Sequence, residues 1–196
     1  VSMGYWVVQS DATLSATTTV SDSDAETLGD GNIILRALNG DITLNEGAVV
    51  NGSVRAGGSG DIRLEAAASG SEITVNADVS SGTGNVAFLA ERGVSQSAGT
   101  TISTAGSGDV VMQTIAGTGD EFMTMASTAS IKTVDGHVYI SSRNVTVGDI
   151  EASNGKVFVF SSTWVADADT EIDTDLDILA NQLYIIGGGS LGTSTN

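Results

Sequence analysis

The sequence predicts an all-β fold, a parallel β-helix in which short strands of successive turns stack on one another. Three observations predict it. A phrase of Gly, then Asp or Asn, then apolar–x–apolar recurs along the chain; its apolar residues alternate with a period of two; and the composition has 25 glycines and no proline. A phrase recurring in this way indicates a solenoid, because a single unit cannot bury its apolar face alone.

The recurring phrase defines the repeat unit. Its close copies are Gly31–Leu35, Gly40–Leu44, Gly60–Leu64, Gly84–Phe88 and Gly108–Met112, and its looser copies are Gly136–Ile140 and Gly155–Val159. From the copy at residue 40 to the copy at residue 155, the starts are 20, 24, 24, 28 and 19 residues apart. One phrase per turn predicts about seven or eight turns.

A period of two places the apolar residues of each phrase on one face of a strand, since successive side chains of a strand point to opposite sides. Ile62 and Leu64 are therefore predicted to face inward, and Arg63 outward. Gly followed by Asp or Asn favours a tight corner, because these residues tolerate positive φ. The same register predicts ten interior residues: Ile62, Leu64, Val86, Phe88, Val110, Met112, Val138, Ile140, Val157 and Val159.

A second short strand is predicted in most units. These strands are Ile73–Val75, Thr101–Ser103, Ile131–Thr133, Val145–Val147 and Glu171–Asp173. Several short strands with corners of small residues in each turn are typical of a parallel β-helix. Leucine-rich repeats share the period, but their Leu-rich segment is missing.

Length and composition limit the organisation. A chain of 196 residues predicts one domain, with a less regular part at 1–28 and repeats over 29–195. Neither end carries an obvious polar cap, so we expect a segment of a longer repeat protein. The absence of cysteine excludes disulfides and thiolate metal sites, and the absence of a long apolar run predicts no membrane insertion.

The net charge of −17, from 24 acidic and 7 basic residues, argues against nucleic acid as a partner. It argues against anionic membranes for the same reason. The charge suits a solvated acidic surface or a surface that binds divalent cations.

Several phrases resemble the repeats of filamentous-haemagglutinin-type adhesins and of giant bacterial surface repeat proteins. They are Gly40–Leu44, Gly58–Ala66, Gly82–Ala90 and the ending Asn181–Thr193. The resemblance covers about residues 29–195. It implies a right-handed β-helical stalk segment of an exported protein, located outside the cell or on the bacterial outer surface. Its implied partners are other repeats of the same parent chain, and a carbohydrate or a neighbouring cell surface.

Two departures limit what the resemblance implies. The chain has no proline, so it lacks the Asn-Pro motifs of the export-recognition region of two-partner secretion proteins. It has no Arg-Gly-Asp tripeptide, so it gives no support to an integrin contact.

Catalysis has weak support in the sequence. The only histidine, His137, occupies the corner position that Asp or Asn fills in other copies, which indicates a turn residue and not a base. No nucleophile–base pair is recognisable, and the seven basic residues are scattered. We expect no enzyme activity and no catalytic residue. The alternative is a carbohydrate-active β-helix enzyme, a polysaccharide lyase or hydrolase.

A run of alternating acids suggests a cation site. On one extended strand all six acids would share a face, and Ca²⁺ takes six to eight oxygen ligands. The alternative is an outward acidic face that keeps a rod soluble and discourages lateral pairing. The candidate ligands for Ca²⁺ are Asp167, Asp169, Glu171, Asp173, Asp175 and Asp177.

The outward residue between the two interior positions changes along the chain. It is Thr43, Arg63 and Ala87 in early copies and Val111, Tyr139 and Phe158 in later ones, with Phe160 next along. On stacked turns the later residues would form an exposed aromatic ladder, a surface suited to sugars or partner proteins. The alternative is a covering loop, from the region of Trp164 or from residues 119–130.

Overall fold

A computed structural model describes residues 5–8, 12–14, 25–46, 54–115, 119–169, 176–189 and 191. This part of the chain is all-β and contains no helix, hence none that could cross a membrane. The strands are β1 (Tyr5–Val8), β2 (Ala12–Leu14), β3 (Ala25–Thr27), β4 (Ile33–Ala37), β5 (Ile42–Asn45), β6 (Val54–Ala56), β7 (Ile62–Ala66), β8 (Glu72–Asn76), β9 (Val79–Ser81), β10 (Val86–Ala90), β11 (Gly93–Gln96), β12 (Thr101–Thr104), β13 (Val110–Thr114), β14 (Phe122–Met125), β15 (Ser130–Thr133), β16 (Val138–Val147), β17 (Asp149–Asp167) and β18 (Ile178–Gly187).

Parallel pairing arranges these strands on three sides of a β-helix, each strand stacked on its counterpart in the previous turn. The first side contains β1, β4, β7, β10, β13, residues 138–142 of β16, 157–161 of β17 and 183–187 of β18. The second contains β2, β5, β8, β11, β14, residues 144–147 of β16 and 164–167 of β17. The third contains β3, β6, β9, β12, β15, residues 149–152 of β17 and 178–180 of β18.

The core lies between the three sides. All ten predicted interior residues are buried, with Phe88 among the largest fully buried side chains, so the predicted alternation is confirmed. The second side adds inward residues such as Ile73 and Met123, and the third adds Ile102 and Ile131. Burial of apolar surface at about 25 cal/mol per Å² stabilises the stack.

Four of the five predicted second strands are present, but they occupy two different sides. Residues 73–75 and 145–147 lie on the second side, whereas 101–103 and 131–133 lie on the third. The fifth, 171–173, lies outside the described residues.

About six turns carry the phrase, slightly fewer than the seven or eight predicted. β1 and β18, which lack it, extend the first side at its two ends. The difference arises because Gly31–Leu35 and Gly40–Leu44 belong to the same turn. The former leads into β4 on the first side, and the latter leads into β5 on the second. Counting phrases therefore counted that turn twice.

Stacking distance, and not positive φ, explains the glycine of the repeated phrase. The glycines with positive φ among the described residues are Gly58, Gly70, Gly99 and Gly119, and none of them begins a phrase. The phrase glycines that precede strands of the first side lie above one another instead. A Cβ atom on any of the last five would overlap the carbonyl oxygen of the glycine one turn earlier. The column consists of Gly31, Gly60, Gly84, Gly108, Gly136 and Gly155.

The next position of the phrase forms a hydrogen-bonded ladder along the stack. Each side chain except the last, that of Lys156, accepts a hydrogen bond from the backbone N–H of the equivalent residue one turn later, at 2.7–2.9 Å as far as His137. The spacings along the chain are 29, 24, 24, 28 and 19 residues, so the ladder holds turns of different length in register. The column consists of Asn32, Asp61, Asn85, Asp109, His137 and Lys156.

His137 continues this ladder with an imidazole in place of a carboxylate or amide. Its backbone N–H donates to Oδ1 of Asp109 at 2.7 Å, and its Nδ1 accepts from the N–H of Lys156 at 3.2 Å. The structure therefore places His137 at a corner, as the sequence predicts, with one ring nitrogen engaged in the backbone ladder.

Candidate partner-binding surface

The outward residues of the first side form two parallel columns. Because side chains alternate along each strand, every turn contributes two outward residues between the ladder position and the end of the strand. One column runs Ile34, Arg63, Ala87, Val111, Tyr139, Phe158 and Tyr184. The other runs Arg36, Glu65, Leu89, Gln113, Ser141, Phe160 and Ile186.

The early part of this surface carries ion pairs. Glu65 contacts Arg36 from the preceding turn and Arg63 from its own strand, both at 2.9 Å. Sequence reasoning left the two arginines unconnected; the one-turn register of β4 on β7 brings them to the same carboxylate.

The late part carries a stack of three aromatic rings. The rings of Tyr139 and Phe158 are 4.9 Å apart and tilted by 3°, and those of Phe158 and Tyr184 are 4.8 Å apart and tilted by 5°. These separations match the spacing of parallel strands, about 4.8 Å, so the backbone register sets the ring spacing. The predicted stacking of Tyr139 and Phe158 is thus present, but both residues are half-buried and not exposed as predicted. We call Tyr139, Phe158 and Tyr184 the aromatic stack.

The geometry of the aromatic stack limits what it can bind. Rings stacked along the axis of the β-helix cover one another's faces and present their edges to solvent. A sugar that packs on an aromatic face therefore has access only to a ring outside the stack or to the end of it. Phe160, in the neighbouring column, is 48% exposed, and Val111 precedes the stack as a half-buried residue.

Tyr184 was not predicted from the sequence. Its strand repeats the alternation of inward Leu183 and Ile185, but it lacks the preceding Gly and Asp or Asn. The signal that could have revealed it is the apolar alternation alone.

Neither Trp164 nor residues 122–125 form a loop over this surface. Trp164 belongs to β17 and pairs with Asn144 on the second side, and the segment 122–125 is β14 of the same side. Trp164 and residues 122–125 are therefore part of the wall, whereas Gly119 and Glu121, which precede β14, lie beside Phe160.

Two cations flank the late part of the first side. In the described part of the chain, Lys156 and Arg143 form no ion pair with a carboxylate, whereas the other five basic residues do. Lys156 follows His137 in the ladder, and Arg143 lies where the first side turns into the second. These two cations thus lie beside the aromatic stack in a chain with a net charge of −17.

A shallow groove of about 260 Å³ lies beside Phe160. Arg143 and the carboxylate of Glu121 lie in its wall, and Glu121 is 4% exposed and accepts a hydrogen bond from the N–H of Gly119 at 3.0 Å. The remaining lining includes the hydroxyl residues Thr114, Ser141, Ser142 and Ser162. The groove therefore combines an exposed ring, a cation, a buried carboxylate and several hydroxyl groups.

Tyr139 has an altered acidity. Burial among its neighbours raises the pKa of the phenol above its ordinary value of 10.0, and the negative charge of Asp109 raises it further. Its ring also contacts that of His137 edge to face, with centroids 6.1 Å apart. The phenol is accordingly neutral and able to donate a hydrogen bond at physiological pH.

The predicted cation ligands are partly brought together. Asp167, Asp169 and Asp177 place carboxylate oxygens within 4.8 Å of one another, and we call them the acidic cluster. Glu171, Asp173 and Asp175 lie outside the described residues. Because β17 ends at Asp167 and β18 begins at Ile178, the cluster forms at a corner and not along one extended strand.

The acidic cluster is held partly by its own backbone. The N–H of Asp169 donates to Oδ1 of Asp167 at 2.9 Å. All three residues are half-buried, so their mutual repulsion is screened less than that of exposed acids. Three carboxylates in this arrangement supply oxygen ligands of the type that Ca²⁺ prefers.

Comparisons with protein-family models, with curated proteins and with solved structures give no match. The function is therefore inferred from the fold and from the surface of the first side.

Proposed function

We propose that this chain is a structural and adhesive segment of an exported bacterial cell-surface repeat protein. The β-helix acts as a stalk, joined in its parent chain to further repeats, and the late part of its first side contacts a neighbouring cell surface. The observation that carries the proposal is the change along the first side, from ion pairs around Glu65 to the aromatic stack and the exposed ring of Phe160.

The regular walls support the stalk. Each turn contacts chiefly the turns before and after it, so length can be added without a new core. The glycine column and the ladder fix the backbone at one corner of each turn, which leaves the outward positions free to vary. This combination of a uniform interior and variable outward residues is expected of a stalk that uses one of its sides for binding.

An acidic carbohydrate is the ligand class that the late surface favours. Phe160 offers an exposed ring, Arg143 and Lys156 offer charges without a carboxylate partner among the described residues, and the groove supplies hydroxyl groups. Ligand sites commonly combine apolar surface with a few convergent polar groups. A guanidinium can bind a carboxylate or sulfate with two hydrogen bonds.

A glycan-binding assay tests this contact surface. Beads coated with the chain are incubated with neutral and acidic glycans and with bacterial cells. The variant Phe160→Ala/Arg143→Ala is expected to retain about tenfold less acidic glycan, since it loses an aromatic contact and a charge-assisted hydrogen bond. The matched control is Leu28→Ala/Arg55→Ala, which removes an exposed apolar residue and an exposed arginine elsewhere. Equal retention by both double variants would contradict the assignment of the surface.

The stalk proposal includes no catalytic step. We expect no cleavage of pectin, alginate or related acidic polymers above the buffer rate. Reproducible cleavage that disappears on replacing a pair of acids would favour the carbohydrate-active enzyme instead.

Calcium binding at the acidic cluster is a second candidate function, favoured by the convergence of Asp167, Asp169 and Asp177. A bound cation relieves repulsion among the carboxylates and raises the melting temperature by mass action. Millimolar CaCl₂ is expected to raise it more than NaCl of equal ionic strength, and Asp177→Asn is expected to reduce the difference. Equal stabilisation by the two salts would mean that the cluster is a solvated acidic surface.

A further inference from the structure

The outward residues of β17 on the first side follow the order cation, ring, ring. Lys156 lies at the corner where the chain enters this side, and Phe158 and Phe160 follow at alternate positions. Alternate residues of a strand share a face, so the three side chains lie in one line along the strand. At roughly 3.3 Å per residue, the steps from Lys156 to Phe160 span about 13 Å.

A second cation lies beyond the far ring of this line. Phe160 is stacked on Ser141 of the preceding turn, and Arg143 is the next outward residue after Ser141. The carbonyl oxygen of Arg143 accepts hydrogen bonds from the hydroxyls of Ser161 and Thr163, both at 2.6 Å, which hold its backbone in place. Arg143 and Phe160 line the same groove. Along the strands the order is therefore cation, ring, ring, cation.

The axis of the β-helix offers no such arrangement around these rings. Before Phe158 its column contains Val111 and Tyr139, and after it the column contains Tyr184. The column of Phe160 is likewise uncharged over the two preceding turns and the following one. A ligand that lies along the axis over these turns meets no cation in either column, whereas a ligand that lies along the strands reaches two.

Lys156 differs from the earlier residues of the ladder. Those positions hold Asn, Asp or His, whose side chains accept the backbone N–H of the next turn, whereas an ammonium group cannot accept a hydrogen bond. The neighbours of Lys156 in this column are His137 one turn earlier and Gln182 one turn later, and neither is a carboxylate. The ladder does not use the charge of Lys156, which is thus available to a ligand.

The other end of the line contains an acid beside its cation. Glu121 lies in the groove of Arg143 and is 4% exposed, so its negative charge opposes an anion bound to Arg143. A single anionic group is therefore expected to bind weakly at this end. A second anionic group on the same ligand reaches Lys156 at a high effective concentration, without a second loss of translational freedom.

We propose that the late part of the first side binds an acidic oligosaccharide across the side, along the strands, with one anionic group at Lys156 and another at Arg143. The sugars between them cover Phe158 and Phe160. The backbone between the two cations spans about 20 Å and both side chains are long, so a ligand of about three or four sugar units reaches both. This inference rests on the proposed function and specifies the length and charge of the ligand.

Calorimetric titration of the full chain with oligogalacturonates, from the monomer to the hexamer, tests the length. The dissociation constant is expected to fall about tenfold or more between the dimer and the tetramer, because only the longer ligand reaches both cations, and to change little beyond the tetramer. Uncharged cello-oligosaccharides of the same lengths are expected to bind about tenfold more weakly than the acidic series. A monomer that binds as tightly as the tetramer would overturn the proposal.

The variant Lys156→Gln tests the contact at one end and leaves the backbone N–H of residue 156 in the ladder. It is expected to weaken binding of the tetramer about tenfold and binding of the monomer about twofold at most. The control Lys132→Gln makes the same change in charge at an exposed lysine of the third side. Equal binding of the tetramer by the two variants would overturn the proposal.

The same titrations separate this inference from the proposed function. Acidic glycans that bind the wild type with an affinity independent of length and of Lys156 would overturn this placement of the ligand and leave the adhesive surface intact. Complete absence of acidic glycan binding by the wild type, in calorimetry and on the coated beads, would overturn both.

Discussion

Replacing Gly108 with alanine is expected to destabilise the β-helix although Gly108 lies at a corner and has no positive φ. The added Cβ would overlap the carbonyl oxygen of Gly84, one turn earlier. Backbone cannot move aside as a flexible side chain can, so the two turns must separate locally. That separation lengthens the hydrogen bonds on either side of the column, including the one from the Asp109 N–H to Oδ1 of Asn85 at 2.9 Å.

The magnitude follows from the cost of overpacking. Inserting a methyl group into a closely packed region typically costs about 1–3 kcal/mol. For a domain of this size, 1 kcal/mol corresponds to a change of about 2–4 °C in melting temperature. Thermal unfolding followed by circular dichroism is therefore expected to show a decrease of about 2–12 °C for Gly108→Ala.

Variants at two other glycines distinguish the effect of close stacking on stability from the effect of backbone conformation. Gly29 has no positive φ, and no atom lies within 4 Å of the position that an added Cβ would take, so Gly29→Ala is expected to be neutral or slightly stabilising. Gly70 has equally open space but a φ of +78°, so Gly70→Ala measures the cost of backbone strain alone.

The pattern of the three variants decides the question. If Gly108→Ala melts at the same temperature as Gly29→Ala, the close approach of successive turns does not restrict the column and the explanation is wrong. If Gly70→Ala alone is destabilised, backbone conformation is the main requirement for glycine in this fold.

Three further predictions concern the core, the ladder and the aromatic stack. Phe88→Asp buries an unpaired carboxylate and is expected to lower the free energy of unfolding, measured by chemical denaturation, by several kcal/mol. Leu89→Asp, on the outward side of the same strand, is expected to lower it by less than about 1 kcal/mol. Equal losses for the two variants would mean that the register is wrong. Asp109→Ala removes the acceptor for the His137 N–H and is expected to lower the free energy of unfolding by about 1 kcal/mol. Asp109→Asn keeps an acceptor and is expected to keep most of the stability. Equal melting temperatures for the two variants would contradict a role for the ladder. The folded-state pKa of Tyr139 is raised above 10.0, so the stability contributed by its neutral phenol is fully present below that pH and is lost as the pH rises through the folded value. The phenolate absorbance of wild type minus that of Tyr139→Phe should therefore appear at higher pH in buffer than in denaturant. Coincident titrations would refute the shift.

The interior of the fold was predictable because alternation encodes it directly. A residue such as Val110 or Val157 is inward whichever side its strand occupies, so the local pattern is sufficient. The side itself was not predictable for Gly40–Leu44, because its phrase is the same as one on the first side. Assignment to a side depends on the lengths of the corners, and these vary between turns.

The candidate surface was predictable only where it depends on register. Tyr139 and Phe158 carry the repeated phrase, so their stacking follows from it. Arg143 and Glu121 share a groove because the chain turns from the first side to the second there. No local sequence pattern predicts that turn. Asp167 and Asp177 likewise meet across a corner. Contacts between residues on different sides need the lengths of the intervening segments.

The residues that hold the turns together are different from the residues that face outward on the late part of the first side. The adhesive proposal can therefore be tested with variants that do not affect folding. The glycine column acts through backbone atoms, the ladder acts through side chains at one corner, and the core acts through inward residues. Phe160 and Arg143 belong to neither group, and exposed polar contacts contribute little to stability. A variant at these two positions that loses glycan binding should therefore keep the melting temperature of the wild type. A loss of both would mean that the surface also supports the fold, and a role in binding would then require an independent ligand contact to support it.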